Sequence, residues 1–369
     1  MRRRREGGTD FLGPEAAPGR GPRPRAPVFY NPAMAVDRDL AVAAVRAWAG
    51  PVPTSRSGWE VAAATGVRGL RLVVETGAFA SFLLTESNPA AFSVLERNAA
   101  GRSGVRASLA DGRLVPEGAP FDYVDVDPFG SPIPFVPSAL AAVRPGSLLA
   151  VTATDMIVLA GAQAEATCRR YGARPVRGRL GPEGGLRILL AYLAREARAR
   201  DRSIRPRLAY ARDHYVRAYL EVGPAGAAPD PVGTVDPATW DGPPLGGSGP
   251  FGPLWLGPII DPAFVERTEV PATAERRAEV RTFLERLREE AAVPSPFYYE
   301  PNVVAGRLGL RSPPSVEALR AALAQGGFRA SRTHARPEGV RTDAPRAVVE
   351  EAARRLDAGA QSQNARVRA

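Results

Sequence analysis

The sequence predicts an α/β chain in which a parallel, doubly wound sheet is followed by a smaller, helix-rich α+β unit. Three observations predict it. Short apolar runs rich in Val, Leu and Phe alternate with helical patterns from Val28 to Val222, which is how strands connected by crossover helices read. Gly or Pro stands at most junctions between them. A stretch dense in Gly and Pro, residues 223–258, then separates this alternation from a tail dominated by helical periodicity. The expected division is 1–222 and 223–369, with 223–258 as a linker lacking regular structure.

The elements follow in chain order. Residues 1–27, rich in Arg, Gly and Pro, read as an extended arm with a short strand at Thr9 to Leu12. Asp37 is placed to cap a helix from Arg38 to Ala49, which Gly50-Pro51 ends. Five strands are expected at Trp59 to Ala64, Ser81 to Thr85, Val105 to Leu109, Phe121 to Val126 and Ser147 to Thr152. Between them lie helices at Val67 to Glu75, Pro89 to Ala99 with Asn88 as cap, and Phe135 to Val143. Helices at Ala160 to Tyr171 and Gly185 to Arg200, then strands near Arg207 to Tyr210 and Tyr215 to Val222, complete the first unit. Past the linker come helices at Ala272 to Glu290, Val316 to Gln325 and Pro345 to Leu356, with a strand at Phe328 to Thr333.

Composition narrows the class of protein. The 369 residues, 44% hydrophobic and 24% charged, suffice for two folded domains and exclude wholesale disorder. A single cysteine, Cys168, excludes an intrachain disulfide framework and any Cys-based zinc or iron–sulfur centre, so no metal is expected. It reads as a small packed side chain. No apolar run reaches the roughly 18 residues of a membrane span, and Arg2 to Arg5 lead into Gly and Pro, so the expectation is a cytoplasmic protein that engages no membrane. The 49 basic residues, all arginine, exceed the 39 acidic ones by ten. The absence of lysine reflects base composition, so arginine number alone does not establish phosphate recognition. The positive sign nevertheless makes nucleic acid the leading partner.

A ligand of a doubly wound sheet sits over the carboxyl ends of its strands. The turn after the first strand, Ala64-Thr65-Gly66-Val67-Arg68-Gly69, lacks the G-x-G-x-x-G that lets a pyrophosphate approach, which argues against nicotinamide or flavin. Glu86 closes the second strand, where a carboxylate can accept both ribose hydroxyls, and Asp111 closes the third. A glycine turn followed by these two acids suits S-adenosylmethionine, which carries a ribose and an adenine but no phosphate. The alternative is that both acids are solvated loop residues.

The fourth strand ends Asp125-Val126-Asp127-Pro128-Phe129-Gly130. Its D-P-F resembles the [DN]-P-P-[FY] signature of methyltransferases that act on exocyclic amines. An aromatic amine is a poor nucleophile because its lone pair is delocalised, so acceptors must hold its hydrogens and free that pair. Asp127 and the Pro128 carbonyl can do so, while Phe129 offers a face for a flipped base. The alternative is a strand-ending turn with Phe129 in the core.

Together, Phe29-Tyr30-Asn31-Pro32-x-Met34, Arg38-Asp39, the Ala64 to Gly69 turn, Asp125 to Gly130, Ala150-Val151-Thr152-Ala153-Thr154-Asp155 and Asp213-His214-Tyr215-x-Arg217 resemble the tRNA (guanine(26)-N2)-dimethyltransferase family. The resemblance continues through Gly252-Pro253-Leu254-Trp255-Leu256-Gly257, Ser331-Arg332-Thr333-His334 and Arg341-Thr342-Asp343-Ala344-Pro345, covering nearly the whole chain. It implies a class I, Rossmann-like, S-adenosylmethionine-dependent methyltransferase domain, a family-specific C-terminal domain, and methylation of tRNA once or twice on guanine N2. By the same resemblance Arg38, Arg68, Glu86, Asp111 and Gly112 match cofactor-binding positions, with Glu86 where many relatives have Asp. Gly66 belongs to the same turn. Asp127 matches the catalytic acid, and Arg332, His334 and Arg341 are the expected C-terminal RNA contacts. The cysteine quartet that some relatives carry before G-P-L-W-L-G is absent, so no zinc ribbon is expected.

Neither His214 nor His334 is needed as a general base, since the amine proton becomes acidic once the methyl has transferred. Arginines 187, 195, 198, 200, 202, 205 and 207 could line a basic face or a merely solvated one. Two other functions fit the same motifs: an amino-group methyltransferase of DNA or another RNA, and a non-catalytic RNA-binding protein. An intact Asp127, Phe129 and glycine turn count against the second.

Overall fold

A computed structural model describes residues 1–15, 28–51, 55–226 and 230–368, with side chains described as far as residue 359. The chain opens on a hairpin of β1 (Arg2–Glu6) and β2 (Thr9–Gly13), followed by α1 (Ala35–Ala49). The alternation then runs β3 (Arg56–Glu60), α2 (Val67–Thr76), β4 (Phe79–Glu86), α3 (Pro89–Ala99), β5 (Val105–Leu109), β6 (Phe121–Val126), α4 (Val136–Ala142) and β7 (Val143–Ala153). Next come α5 (Met156–Leu159), α6 (Ala164–Tyr171), α7 (Gly181–Arg198), β8 (Arg202–Arg212) and β9 (Tyr215–Pro224). The remainder is β10 (Val232–Val235), β11 (Phe251–Trp255), α8 (Pro262–Glu266), α9 (Arg277–Ala291), α10 (Pro301–Leu308), α11 (Val316–Gln325), β12 (Ala330–Arg332), β13 (Val340–Thr342) and α12 (Arg346–Arg368).

The central sheet has seven strands in the order β5-β4-β3-β6-β7-β9-β8. Its first five are parallel, as expected, while β9 runs antiparallel between β7 and β8. The reason is local: a two-residue turn, Asp213-His214, joins β8 to β9, and so short a link makes only an antiparallel pair. Strand order reverses between β4 and β6, on either side of β3, so the crevice for a ligand opens at the carboxyl end of β3. Both faces of the sheet are covered. Trp59, Leu84, Tyr123, Val124, Leu149 and Val151 are fully buried or nearly so, which matches the continuous apolar runs of parallel strands.

Four expectations are corrected. Residues 1–15 form a paired hairpin, not an extended arm; residues 16–27 of that arm lie outside the described residues. The first helix begins at Ala35, because Asn31 caps a short turn, Pro32 to Met34, that leads into it. Asp37 is thus buried inside the helix and caps nothing. The Gly/Pro-rich stretch does hold regular structure: β10 pairs with β11, and Phe251, Leu254 and Trp255 sit in the principal core. Tertiary packing overrides local propensity there. The helix expected from Ala160 to Tyr171 begins only at Ala164, as α6, because Gly161, whose φ of +88° a helix cannot contain, separates it from the preceding α5.

The principal hydrophobic core extends from Val36 to Tyr298, and a second, smaller one joins Tyr299, Val304, Leu319, Leu323, Val340 and Val349. No helix among the described residues is long and apolar enough to cross a membrane.

Candidate active site

The crevice at the end of β3 is built on a strained turn. Ala64, a non-glycine residue, has φ of +49°, and Gly66 has φ of +76°. A Cβ on Gly66 would lie 2.5 Å from Leu95 Cδ1, so both backbone conformation and space require glycine. What holds Ala64 in place is Glu86 at the end of β4. One of its carboxylate oxygens accepts the Ala64 N–H at 2.9 Å and the other accepts the Asn88 N–H at 2.8 Å. Each oxygen keeps a lone pair for a further donor, as a diol-binding carboxylate needs.

Asp111 follows β5 and is held by Arg113 at 2.9 and 2.5 Å, whose hydrogen bonds lower its pKa to about 2. At Gly112 an added Cβ would come within 2.5 Å of Val61 Cγ1, and the Gly112 carbonyl accepts the Ser138 hydroxyl at 2.7 Å. The loop is thereby pressed against the segment that follows β3.

Arg68, in the first turn of α2, joins the two halves of the site. Its Nη2 donates to Asp37 at 2.8 Å and also to Asp127 at the end of β6. The Arg68 Nη1 is buried without any hydrogen-bond partner, an orphaned donor beside the strained turn. Asp37 is itself oriented by the Tyr210 hydroxyl at 2.9 Å; burial raises its carboxyl, but Arg68 and Arg217 outweigh burial and hold it low. Glu86 thus ties the turn that holds Gly66 to the end of β4, and Arg68, just past that turn, ties it to the catalytic candidate Asp127. Arg38 makes its hydrogen bonds outside that turn. It makes a bidentate pair with Glu6 of the hairpin, both contacts 2.6 Å, and a bond to the Asn31 carbonyl.

Beyond Asp127, whose side chain is 22% exposed, Pro128 is buried and its carbonyl accepts no hydrogen bond from any described residue. Phe129 is 58% exposed, so it is not a core residue. Two hydrogen bonds between Gly130 and Thr154, 2.7 and 2.9 Å, fix this loop to the end of β7. An acceptor pair, Asp127 and the Pro128 carbonyl, therefore stands beside an exposed aromatic face.

Two residues of the site escaped the sequence reading. Phe29 meets Phe129 edge to face, ring centroids 4.3 Å apart. Its position in the Phe29 to Met34 string was the available signal. Glu60, the last residue of β3, is fully buried and accepts the Gly69 N–H at 2.9 Å. Burial, then the charge of Asp125, pushes its pKa up to about 8. Beneath the floor, Asp125 and Arg217 form a buried pair at 2.7 Å, also bonded to Tyr123 and Thr152, so three of the strings that carry the family resemblance meet there.

Two of the three expected RNA contacts are corrected. Arg341 is buried, pairing with Glu183 at 2.6 Å and Glu290 at 2.7 Å. The His334 side chain is fully buried; its Nδ1 lies 2.6 Å from Glu290, and its Nε2 accepts the Ala211 N–H at 3.1 Å. Burial raises Glu290, but His334 and Arg341 outweigh it and bring its pKa to about 2. These side chains bind the C-terminal segment to β8 and α7 and leave nothing for RNA. Arg332 is 34% exposed and pairs with Glu317. Of the arginines over residues 187–207, Arg187 is buried on Glu183 and Arg198, Arg200, Arg205 and Arg207 pair with Asp230, Glu196, Asp261 and Glu221, while Arg195 donates to the Tyr171 carbonyl and Arg202 has no carboxylate partner among the described residues. His214, by contrast, is exposed at the β8–β9 turn. No group of three His, Cys, Asp or Glu side chains among the described residues is arranged to hold a metal ion.

Comparison with known proteins places this geometry in context. The profile of a family described as N2,N2-dimethylguanosine tRNA methyltransferase matches residues 22–232 and 247–354. A tRNA (guanine(26)-N(2))-dimethyltransferase of Thermococcus kodakarensis is 36% identical, over 88% of this chain and 93% of its own length. One from Pyrobaculum arsenaticum is 35% identical, over 94% and 96%. Among solved structures, Trm1 from Pyrococcus horikoshii in complex with S-adenosyl-L-methionine superposes with a TM-score of 0.84 at 29% identity, covering 95% of this chain and 99% of that one.

Proposed function

The chain belongs to the N2,N2-dimethylguanosine tRNA methyltransferase family, and we propose that it transfers one or two methyl groups from S-adenosylmethionine to the exocyclic N2 of guanosine 26 in tRNA. The observation that carries this reading is the Arg68 bridge, which fixes Asp127, in a D-P-F loop with an exposed Phe129, directly to the turn where a nucleoside cofactor sits.

The residues fit the cofactor. Glu86 has free lone pairs for ribose hydroxyls, Asp111 and Gly112 border the crevice beside it, and the orphaned Arg68 Nη1 is a ready donor for a carboxylate. Arg38 contributes at a distance, through Glu6 and the hairpin. S-adenosylmethionine supplies an electrophilic methyl on a sulfonium. Everything else falls to the chain. A guanine in folded tRNA is stacked, and turning it out costs a few kcal/mol. Phe129, braced by Phe29, offsets that cost by stacking on the base. Asp127 and the Pro128 carbonyl accept the two N2 hydrogens and aim the lone pair. As positive charge appears on nitrogen, the Asp127 carboxylate stabilises it, and Arg68 keeps that carboxylate from swinging away. The methylated nitrogen then loses one hydrogen as a proton to Asp127 or water, and the single hydrogen left is available to Asp127, so the same group can serve a second transfer.

The principal core runs through the expected boundary at residues 222 and 223 as far as Tyr298, so the division is proposed as one of labour only: the first part catalytic, the second contacting tRNA through side chains other than the buried Arg341 and His334. A cytoplasmic location follows from the substrate. Incubation with unmodified tRNA and methyl-labelled S-adenosylmethionine, followed by nucleoside analysis, should yield N2-methylguanosine and N2,N2-dimethylguanosine from position 26. Label in another nucleoside, or in none, overturns the reading.

A further inference from the structure

Most arginines that the sequence offered as RNA contacts are neutralised by carboxylates, which turns attention to a cluster elsewhere that is not. Arg2, Arg3 and Arg5 of β1 are exposed, and none has a carboxylate within ion-pairing distance among the described residues. The nearest candidate by register is Asp10, opposite Arg5 in β2, and it makes no ion pair with it. Arg102, also without a carboxylate partner, donates to the Asp10 carbonyl and adds a fourth cation at the edge of the hairpin.

The hairpin holding these cations is anchored rigidly. Glu6 is buried between Arg38 and Arg71 and accepts the Tyr30 hydroxyl at 2.9 Å. Phe11 is buried against the Tyr30 ring. The Leu12 N–H donates to Asn98 and its carbonyl accepts from Asn98, whose amide also donates to the Thr65 carbonyl of the strained turn. Tyr30 adjoins Phe29, and Phe29 touches Phe129. The cations therefore ride on a platform tied both to the cofactor turn and to the aromatic pair that would receive the base.

We infer that this hairpin is a docking edge for the RNA substrate, with Arg2, Arg3 and Arg5 contacting its phosphodiester backbone; the inference rests on the RNA-methylating function proposed above. Charge complementarity commits the partner to a polyanion. The tie to the base-receiving aromatics makes that polyanion the strand carrying the target nucleotide. Each phosphate neutralised releases counterions, so the contact has a salt signature of about 0.7–0.9 in log–log slope per phosphate.

The test is filter binding of an unmodified tRNA transcript across a salt series, with single-turnover methylation measured separately. A protein with Arg2→Gln, Arg3→Gln and Arg5→Gln should bind about tenfold more weakly near 0.1 M salt, and its slope should be shallower by about two. Its methylation rate at saturating tRNA, its S-adenosylmethionine affinity and its melting temperature should be unchanged. The corresponding triple Lys variant should restore the slope. Unchanged affinity and slope in the Gln variant overturn the docking edge, whatever the methylation assay gives. Binding with the stated slope change but no methylated guanosine overturns the proposed function and leaves the docking edge standing. Failure of the unsubstituted protein to bind tRNA overturns both.

Discussion

Asp127 was legible from six residues of sequence because its chemistry is local: a carboxylate, an adjacent carbonyl fixed by proline and an aromatic face all come from one loop. Its partner was not legible. Arg68 reaches it from another element, and no local pattern encodes a contact between residues 59 positions apart. Because Asp127 acts on charge that appears only in the transition state, Asp127→Ala should lower kcat by about 10²-fold or more. S-adenosylmethionine affinity should stay nearly constant, since Arg68 keeps Asp37. Single-turnover rates on unmodified and monomethylated tRNA check this, and wild-type speed on either would remove Asp127 from its role. Glu86 has the opposite profile. Its carboxylate both faces the crevice and holds the Ala64 and Asn88 amides, so Glu86→Ala should weaken S-adenosylmethionine binding by about 1.5–3 kcal/mol. Calorimetry decides it; equal affinity in the variant would place the cofactor elsewhere.

Elements were legible where their ends carry a physical stop. Pro89 to Ala99, Val105 to Leu109, Phe121 to Val126 and Val316 to Gln325 are recovered with the bounds that the sequence implied, each flanked by a capping side chain, a glycine or a proline. Elements whose existence depends on a distant partner were not. β1 is almost entirely arginine and shows no apolar alternation, and β11 is a strand only because β10 and the core receive it. The strained turn between β3 and α2 belongs to the legible class, and its glycine is testable at this scale. At Gly66 alanine meets a left-handed φ, which costs about 1–2 kcal/mol, and a clash with Leu95 besides. Gly66→Ala should therefore destabilise the fold by about 2–4 kcal/mol in urea titrations. Gly130, whose added Cβ would meet nothing within 4 Å although its φ is also positive, should tolerate the same change at lower cost.

At the scale of the whole molecule, buried charge decides how the C-terminal segment is held, and neither periodicity nor composition could reveal it. Arg341, Glu183, Glu290 and His334 come from segments up to 158 residues apart and meet in one dry network. Arg341→Ala leaves Glu183 with Arg187 alone and Glu290 with His334 alone, a loss of up to about 3–5 kcal/mol, so its signature should be a lowered melting temperature. An RNA contact would instead raise KM for tRNA in a protein that melts normally. The same principle sets the pH range of stability. Arg38 and Arg71 outweigh burial to bring Glu6 to about 2, and His334 and Arg341 do the same for Glu290, against an ordinary value of 4.5. Below 4.5 the unfolded chain takes up these protons while the folded one still refuses them, so stability falls as pH drops from about 4.5 toward 2. Glu60 works in the other direction. Held near 8 by burial, it keeps in the folded state a proton that the unfolded chain gives up above 4.5. Its contribution therefore declines as pH rises from 4.5 to about 8, by at most about 1.4 kcal/mol per pH unit, and levels off above that. Melting temperatures across the pH range should trace both limbs. In Glu60→Gln, which can still accept the Gly69 N–H, the alkaline limb should flatten while the acid limb stays; an alkaline limb unchanged in that variant would mean that Glu60 is ionised in the folded protein.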